Sequence, residues 1–216
     1  MPAKPKKLAI VLLAAGQSKR FGDNKQLALV ENVSGSAQPL MLCVLEQLLE
    51  SKASLADNCE VIVALAPNQP KITQLLSPNT KLLVCPDSHL GMGHTIQNVI
   101  YQIENLKHDI THVMLVLADQ VALDTKHFNQ VLTTWQNNPD KLIAANTSTG
   151  MTAPAIFPAF CFEALKKLEG DKGAKSVLKQ FQTSLVLVNL PEAAIDIDTQ
   201  LDLTQWNSQI IKREQA

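Results

Sequence analysis

The sequence shows no excess of charge of either sign and no apolar run long enough to span a membrane. Its 216 residues include 19 Lys and Arg against 20 Asp and Glu, a formal net charge of −1. Nonspecific binding to duplex nucleic acid requires a basic surface, so we expect no nucleic-acid partner. A membrane-spanning helix requires roughly 20 consecutive apolar residues, which no segment approaches, so we expect no membrane association.

Cysteine is scarce, and its spacing indicates neither a metal site nor a redox motif. The cysteines are far apart in the chain and form no Cys-x-x-Cys pair: Cys43, Cys59, Cys85 and Cys161. Each lies within or beside an apolar run, which predicts buried thiols in a reducing compartment. We therefore expect a cytoplasmic protein with neither a disulfide framework nor a structural zinc ion.

The first apolar run, from Leu8 to Ala15, follows Lys4, Lys6 and Lys7 and superficially resembles the core of a signal peptide. A charged turn from Gly16 to Arg20 comes directly after it. A buried first strand is therefore the better interpretation.

Short aliphatic runs alternate with segments of helical periodicity along the chain. This alternation predicts a mostly parallel sheet with helices on both faces. The predicted strands are 8–15, 60–66, 81–85, 112–118, 142–145, 155–157 and 185–190. Apolar residues at helical spacing predict helices around Val44, Ile100, Val131, Val177 and Trp206. The length suits a single α/β domain over residues 1–216, with flexible tails at 1–7 and 212–216.

A loop rich in small and basic residues follows the first predicted strand: Leu13-Ala14-Ala15-Gly16-Gln17-Ser18-Lys19-Arg20-Phe21-Gly22-Asp23-Asn24-Lys25. Small residues allow backbone N–H groups to approach a phosphate chain, while Arg20 and Lys25 add positive charge. The loop lacks the glycine spacing of the P-loop and of dinucleotide-binding folds. An ordinary turn with solvated charges is the alternative.

This loop resembles the signature of the MobA-like nucleotidyltransferases, and within that family it is most similar to the molybdenum cofactor cytidylyltransferases. The resemblance extends to further motifs in the expected order: Gly91-Met92-Gly93-His94-Thr95, Leu117-Ala118-Asp119-Gln120, Gly170-Asp171-Lys172-Gly173-Ala174 and Asp196-Ile197-Asp198-Thr199. It implies a three-layer, Rossmann-like fold of the nucleotide-diphospho-sugar transferase type. It also implies transfer of a nucleoside monophosphate to a phosphorylated acceptor, with release of pyrophosphate.

The resemblance implies a set of site residues as well. The implied catalytic residues are Arg20, Lys25 and Asp119. The implied nucleotide-binding residues are Leu13, Ala14, Ala15, Gly16, Ser18, Arg20, Lys25, Gly91, Gly93 and Thr95. A covalent intermediate is not expected, because the sequence contains no Gly-x-Ser-x-Gly elbow.

Two carboxylates are predicted to hold Mg²⁺. Asp119 follows an apolar strand, where an α/β sheet presents side chains to its ligand, and Mg²⁺ usually takes one or two carboxylates plus phosphate oxygens and waters. Asp119 could instead cap a helix, although Asp124 is better placed for that role. The resemblance implies Asp198 as the second ligand. Asp196 competes with it, and Asp198 or Thr199 could instead cap the last helix.

Two glycine-containing turns are expected to border the cleft. Residues 91–95 open a helix, where free N–H groups and the helix dipole favour an anion. In residues 170–174, Gly170 is expected to end one helix and Asp171 to cap the next. The resemblance places this second turn on the acceptor side. His94 is expected to face solvent.

Short segments of the sequence imply which nucleotide and which acceptor are the substrates. Ala14-Ala15-Gly16 resembles the cytidine-using enzymes, whereas guanosine-using relatives carry Ala-Gly-Gly there, so we predict CTP with GTP as the alternative. The resemblance implies a molybdopterin-type acceptor and delivery of the product to a molybdoenzyme or its chaperone. Val121 and the segment 152–157 depart from the family pattern on the acceptor side. Another acceptor such as a sugar phosphate therefore stays open, as does a noncatalytic nucleotide-binding cofactor chaperone.

Overall fold

A seven-stranded sheet forms the centre of the structure, a computed structural model that describes residues 6–18, 20–31, 37–52, 58–106 and 109–214. Residues 1–5 and 215–216, which belong to the predicted tails, lie outside the described residues. The strands are β1 Leu8–Leu13, β2 Leu29–Glu31, β3 Ala37–Pro39, β4 Cys59–Leu65, β5 Lys81–Val84, β6 His112–Leu117, β7 Leu142–Thr147, β8 Gly150–Pro158 and β9 Leu185–Asn189. The sheet order is β5-β4-β1-β6-β8-β7-β9.

Every strand predicted from the sequence is present, with ends that shift by a few residues. The sheet is mostly parallel as predicted, but β8 runs antiparallel to both of its neighbours, β6 and β7. β7 and β8 are joined by a tight turn at Thr147–Gly150, where Gly150 adopts a positive φ of 101°. Antiparallel strands can be joined by a short hairpin without a crossover helix. The alternation of strands and helices along the chain therefore does not give the direction of β8.

Helices cover both faces of the sheet, which confirms the predicted three-layer, Rossmann-like single domain. The helices are α1 Leu40–Lys52, α2 Pro70–Leu75, α3 Met92–Leu106, α4 Thr125–Asn137, α5 Phe162–Leu165, α6 Lys175–Gln180 and α7 Gln200–Glu214. One core layer packs α1 and α4 against the sheet. The opposite layer packs α3, α5 and α6. None of the helices in the described ranges is both long and apolar enough to cross a membrane.

The connections reverse direction beside β1. From β1 the chain passes through α1 to β4 and then to β5, and α3 on the other face returns it to β6, which pairs with the opposite edge of β1. In an open α/β sheet, such a reversal leaves a crevice outside the carboxyl ends of the strands. The crevice between the ends of β1 and β6 is therefore the expected ligand site.

A third, smaller core lies beside this crevice and was not predicted. It consists of Phe21, Val30, Leu40, Cys43 and Ile197, and Leu203 and Trp206 of α7 pack against it. Hydrogen bonds reinforce the contact, because Trp206 Nε1 donates to Glu31 O at 3.1 Å and Glu31 N donates to Asn207 Oδ1 at 2.9 Å. This small core holds the C-terminal segment over the crevice.

The cysteines are all buried and unpaired, as predicted. Burial raises the pKa of Cys59, Cys85 and Cys161 to about 12 and that of Cys43 to about 11. Thiols with such pKa values are protonated near neutral pH and are poor nucleophiles. The cysteines therefore belong to the core and not to the chemistry.

A buried histidine lies at the amino end of β6, opposite the crevice. His112 is 2% exposed and packs edge-on against Trp135 with ring centroids 5.3 Å apart. Its Nε2 donates to Pro139 O at 2.8 Å, and its Nδ1 lies 2.8 Å from Thr111 Oγ1. Burial lowers the pKa of His112, so folding favours the neutral form of this imidazole.

We expect acidification to destabilise the fold through His112. The unfolded imidazole has a pKa of about 6.5, above the folded value, so the unfolded state takes up protons first and stability falls as the pH drops below about 6.5. Urea unfolding at pH 7.5 and 5.5 should show a larger loss for the wild type than for His112→Gln. The exposed His89→Gln serves as the control with wild-type behaviour. Equal losses in wild type and His112→Gln would contradict the assignment.

Candidate active site

A cleft of about 380 Å³ opens at the carboxyl ends of β1 and β6, within the size range of small-molecule sites. It brings together most of the residues that the sequence predicts for the site. The predicted residues that line it are Leu13, Ala15, Gly16, Ser18, Arg20, Lys25, Gly91, Thr95, Asp119 and Asp198. The motifs that carry the family resemblance thus converge on one cleft.

The loop after β1 forms the floor of the cleft. Ala14 N–H still continues the sheet by donating to Ala64 O at 2.9 Å, but no described residue accepts from the backbone N–H groups of Gly16 or Ser18. A Cβ at Gly16 would meet no protein atom within 4 Å, so the space beside it is open. Ser18 adopts a positive φ of 51° and turns the chain. Free N–H groups at a small-residue loop can bind phosphate oxygens.

Ala14, which is predicted to bind the nucleotide, does not line this cleft. It is buried in the core layer beneath α1, and its remaining surface faces a separate recess on the other side of the loop. Successive residues of an extended chain point to opposite sides, so Ala15 faces the cleft while Ala14 faces away from it. A contact of Ala14 with the nucleotide stays a prediction.

A lysine held between two carboxylates forms the charged centre of the cleft. Lys25 lies on a 3-10 helix, Lys25–Leu27, and its side chain is only 9% exposed. Its Nζ is 2.7 Å from Asp119 Oδ2 and 3.1 Å from Asp198 Oδ1. Arg20 NH2 is 2.9 Å from Asp198 Oδ2, with an Arg20 side chain that is 74% exposed. The predicted catalytic and metal-binding residues are therefore direct neighbours.

Burial by itself would lower the pKa of Lys25, but the adjacent carboxylates of Asp119 and Asp198 outweigh it and hold the pKa above its usual value. The Lys25 ammonium is therefore charged at neutral pH. It supplies a permanent positive charge in a partly dehydrated site, where charges interact more strongly than in water.

The donor set of the cleft fits Mg²⁺. Asp119 Oδ1 is buried and has no hydrogen-bond partner among the described residues, so it is available to a cation. No cluster of three or more His, Cys, Asp or Glu side chains suited to a metal occurs in the described part of the chain. Mg²⁺ does not require one, because it usually combines one or two carboxylates with phosphate oxygens and waters. Asp119 and Asp198 are the residues that would hold it.

The structure resolves the alternatives left open at the C-terminal motif. Thr199 precedes α7 and exchanges hydrogen bonds with Asp202: Asp202 N donates to Thr199 Oγ1 at 3.2 Å, and Thr199 N donates to Asp202 Oδ2 at 2.7 Å. Asp198 N–H also donates to Asp202 Oδ2 at 3.1 Å. Thr199 and Asp202 thus cap the helix, which leaves the Asp198 carboxylate for Lys25 and Arg20.

Asp196 lies at the rim and is not paired with Lys25. One part of its side chain reaches solvent, and it does not line the cleft. Partial burial, together with the nearby carboxylates of Asp119 and Asp198, raises the pKa of Asp196 to about 6. Between them, Ile197 N–H donates to Asp119 O at 3.2 Å and fixes the segment against the end of β6. Asp198 is therefore the carboxylate that the fold directs into the cleft.

The far wall of the cleft is built from two backbone segments in close contact. Gly93 N–H donates to Gly170 O at 2.8 Å, and Gly170 N–H donates to His94 Nδ1 at 3.1 Å. A Cβ at Gly91, whose φ is 118°, would collide with Gly170 O, and a Cβ at Gly93 would lie 2.7 Å from Glu169 N. Only glycine permits this approach.

This wall corrects two predictions. Gly93 packs against Glu169 and does not line the cleft, so its contact with the nucleotide stays a prediction. His94 does not face solvent, because its half-buried ring accepts a hydrogen bond from Gly170. Asp171 does not cap α6, which begins after Ala174 without a side-chain cap, and instead lines the cleft. By contrast, the prediction that Asp124 caps α4 is confirmed by its hydrogen bonds from Lys126 N and His127 N.

Sequence reasoning assigned no role to Gln120 and Asp202, which position the site. Gln120 is fully buried, and its Nε2 donates to Ala153 O at 3.0 Å and Ala193 O at 2.8 Å. It ties the end of β6 to β8 and to the segment that leads to Asp198. Asp202 had a readable signal, since Thr-x-x-Asp before an apolar run is a capping box. Gln120 had none apart from its place after Asp119.

Comparisons with known proteins agree with this geometry. Residues 10–185 match the family model of the MobA-like NTP transferase domain. The chain is 30% identical over 176 residues, 80% of either chain, to purine catabolism protein PucB of Bacillus subtilis (strain 168). The chain belongs to the MobA-like NTP transferase family, and thus to the nucleotidyltransferases.

Solved structures show the same fold at lower identity. Rv0371C of Mycobacterium tuberculosis H37Rv, in a complex with manganese, superposes with a TM-score of 0.71 at 17% identity, covering 94% of this chain and 98% of that one. Molybdopterin-guanine dinucleotide biosynthesis protein A of Archaeoglobus fulgidus superposes with a TM-score of 0.68 at 12% identity, covering 94% and 99%. These likenesses support the fold of the domain.

We expect Asp202→Ala to lower the free energy of unfolding by about 1 kcal/mol, as the loss of a helix cap does. The substitution removes the acceptor of Asp198 N–H, Thr199 N–H and Thr199 Oγ1. Asp202→Asn retains an acceptor oxygen and should recover much of the loss. Urea unfolding would measure both, with Gln205→Ala on the exposed face of α7 as the control. Equal stability of Asp202→Ala and wild type would contradict the capping role.

Proposed function

We propose that this protein is a Mg²⁺-dependent cytidylyltransferase that transfers CMP from CTP to the phosphate of molybdopterin or the molybdenum cofactor. The observation that carries the proposal is the convergence of Lys25, Arg20, Asp119 and Asp198 beside a loop with free N–H groups. Such a site handles a phosphate chain and a cation at once. A simple nucleotide-binding module would not require this number of charged groups.

The proposed reaction needs no covalent intermediate with the protein. An oxygen of the acceptor phosphate attacks the α-phosphorus of CTP, the bond between that phosphorus and the β-phosphate bridging oxygen breaks, and pyrophosphate leaves with the bond electrons. The barrier arises because two anions must meet. Catalysis therefore consists mainly of positioning and charge neutralisation.

The residues of the cleft divide this work. The free N–H groups of Gly16 and Ser18 orient the triphosphate, and Lys25 and Arg20 stabilise the charge that develops on the α-phosphate and on pyrophosphate. Mg²⁺ held by Asp119 and Asp198 would neutralise phosphate oxygens. Gly91 and Thr95 form the opposite wall, against which the nucleotide is held.

CTP as the nucleotide is supported by the Ala14-Ala15-Gly16 segment, which resembles the cytidine-using enzymes. In the structure, Ala15 lines the cleft next to Leu13. A single methyl group in a pocket contributes on the order of 1–3 kcal/mol to discrimination against a larger base. This contribution is enough to favour CTP over GTP by roughly tenfold or more.

The acceptor proposal rests on the family resemblance and on a structural neighbour whose name states a role in molybdopterin-guanine dinucleotide biosynthesis. A related chain, PucB, is named for purine catabolism.

We propose that the product passes to a molybdoenzyme or its chaperone in the cytoplasm. The departures at Val121 and at residues 152–157 adjoin Gln120, whose Nε2 donates to Ala153 O. The family resemblance assigns this segment to the acceptor side.

We expect Lys25→Ala and Asp119→Ala each to lower turnover by about 100-fold or more, because each removes a charged group that contacts the reacting phosphates or their cation. Lys141→Ala, at an exposed position before the amino end of β7, should retain wild-type turnover. Thermal unfolding would verify that each variant is folded. Near wild-type rates in a folded Lys25 or Asp119 variant would overturn the site.

The proposed reaction itself is tested by pyrophosphate release with Mg²⁺ and molybdenum-loaded molybdopterin, with CTP, GTP, ATP and UTP in parallel. We expect release with CTP alone. Release with GTP alone would replace cytidine by guanosine. Absence of release with all four, while a nucleotide still raises the melting temperature, would retain the triphosphate site and exclude molybdopterin as the acceptor. Absence of both effects would overturn nucleotide binding.

A further inference from the structure

Lys25 occupies the position at which a divalent cation would contact both carboxylates. Its Nζ lies within hydrogen-bond distance of Asp119 Oδ2 and Asp198 Oδ1 at once, at 2.7 Å and 3.1 Å. A cation that bound both Asp119 and Asp198 would come within a few ångströms of this ammonium, and like charges at that distance repel each other. The lysine and a bridging metal ion therefore compete for the negative charge of the same two carboxylates.

The charge of the cluster explains why a cation is needed there. Two carboxylates placed close together repel each other in a partly dehydrated cleft. Arg20 neutralises Asp198 from the solvent side, and among the described residues Asp119 forms its ion pair with Lys25. Lys25 is the group that contacts both carboxylates, and it is the less exposed of the two basic residues. Without it, the pair would be an open cation site.

One oxygen of the pair is not satisfied by Lys25. Asp119 Oδ1 is buried and has no hydrogen-bond partner among the described residues, although its neighbour Oδ2 is paired. A buried carboxylate oxygen without a partner is costly. Asp119 therefore keeps an acceptor oxygen that a further cation can contact, even with Lys25 in place.

We infer that Lys25 is an internal counter-ion that keeps the divalent-metal affinity of the free protein low until a phosphate chain draws its ammonium away from Asp119 and Asp198. This inference rests on the proposed function, because it assumes that a polyphosphate and a metal ion share the cleft. It makes Lys25 a switch between two partners: carboxylates in the free protein and phosphate oxygens in the complex. Metal binding is then coupled to nucleotide binding.

The test is a titration of the nucleotide-free full chain with Mn²⁺. The electron paramagnetic resonance signal of free Mn²⁺ measures how much of the metal is bound. Lys25→Met removes the charge and keeps an unbranched side chain. We expect its Kd for Mn²⁺ to be at least about tenfold lower than that of the wild type, since a unit charge a few ångströms from the metal is removed. Lys141→Met removes the same unit of net charge before the amino end of β7, away from the cleft, and should bind Mn²⁺ as the wild type does.

A second variant and a double variant locate the effect. Lys25→Gln should also increase Mn²⁺ affinity, which guards against a folding defect specific to methionine. Adding Asp119→Asn to Lys25→Met should abolish the increase, because it removes one of the two carboxylates. An increase that survives Asp119→Asn would assign the Mn²⁺ to another site and overturn the inference.

Equal Kd values for wild type and both Lys25 variants would contradict the inference that Lys25 competes with the metal ion. Absence of Mn²⁺ binding by these variants at millimolar concentration would contradict it as well. These outcomes are independent of turnover. A wild type that releases pyrophosphate while its Lys25 variants bind Mn²⁺ no better would retain the proposed function and discard the inference alone. Tighter Mn²⁺ binding without pyrophosphate release from any nucleotide would retain the inference and discard the proposed reaction.

Discussion

The repulsion between two carboxylates is the constraint on which the site depends. Asp119 and Asp198 come from distant parts of the chain and are brought close together in a cleft that is only partly hydrated. Their proximity is tolerable because Lys25 lies between them and Arg20 covers the outer one. A site with this balance of charge accepts anions and cations together. The transfer of a nucleotidyl group between two anionic substrates requires both.

The scaffold achieves this proximity with three separate devices. The reversal of strand order beside β1 places Asp119 at the mouth of the crevice. The small core between the β2–β3 hairpin and α7 holds the C-terminal segment nearby. The hydrogen bonds of Asp202 then fix the backbone of Asp198. The Asp198 side chain is directed into the cleft because another residue, Thr199, takes the role of the helix cap.

The opposite wall depends on the absence of side chains. Gly91 and Gly93 let α3 approach the turn at Gly170 so closely that any Cβ would collide with backbone atoms. The contact is locked by a hydrogen bond in each direction, one of which ends on His94. This packing brings Asp171 to the lip of the cleft. The glycines of this motif therefore have two roles, since Gly91 lines the cleft while Gly93 supports it.

The sequence by itself determined the α/β class, the strand sites and the positions of the loop, the turn and the acidic residues, because hydrophobic period and residue chemistry are local properties. It predicted that Asp124 caps α4 for the same reason. The antiparallel direction of β8, the choice of Asp198 over Asp196 and the contact of His94 with Gly170 were decided by the tertiary structure alone. Each depends on which distant segment of the chain packs nearby. The residues around a position in the sequence do not determine which segment that is.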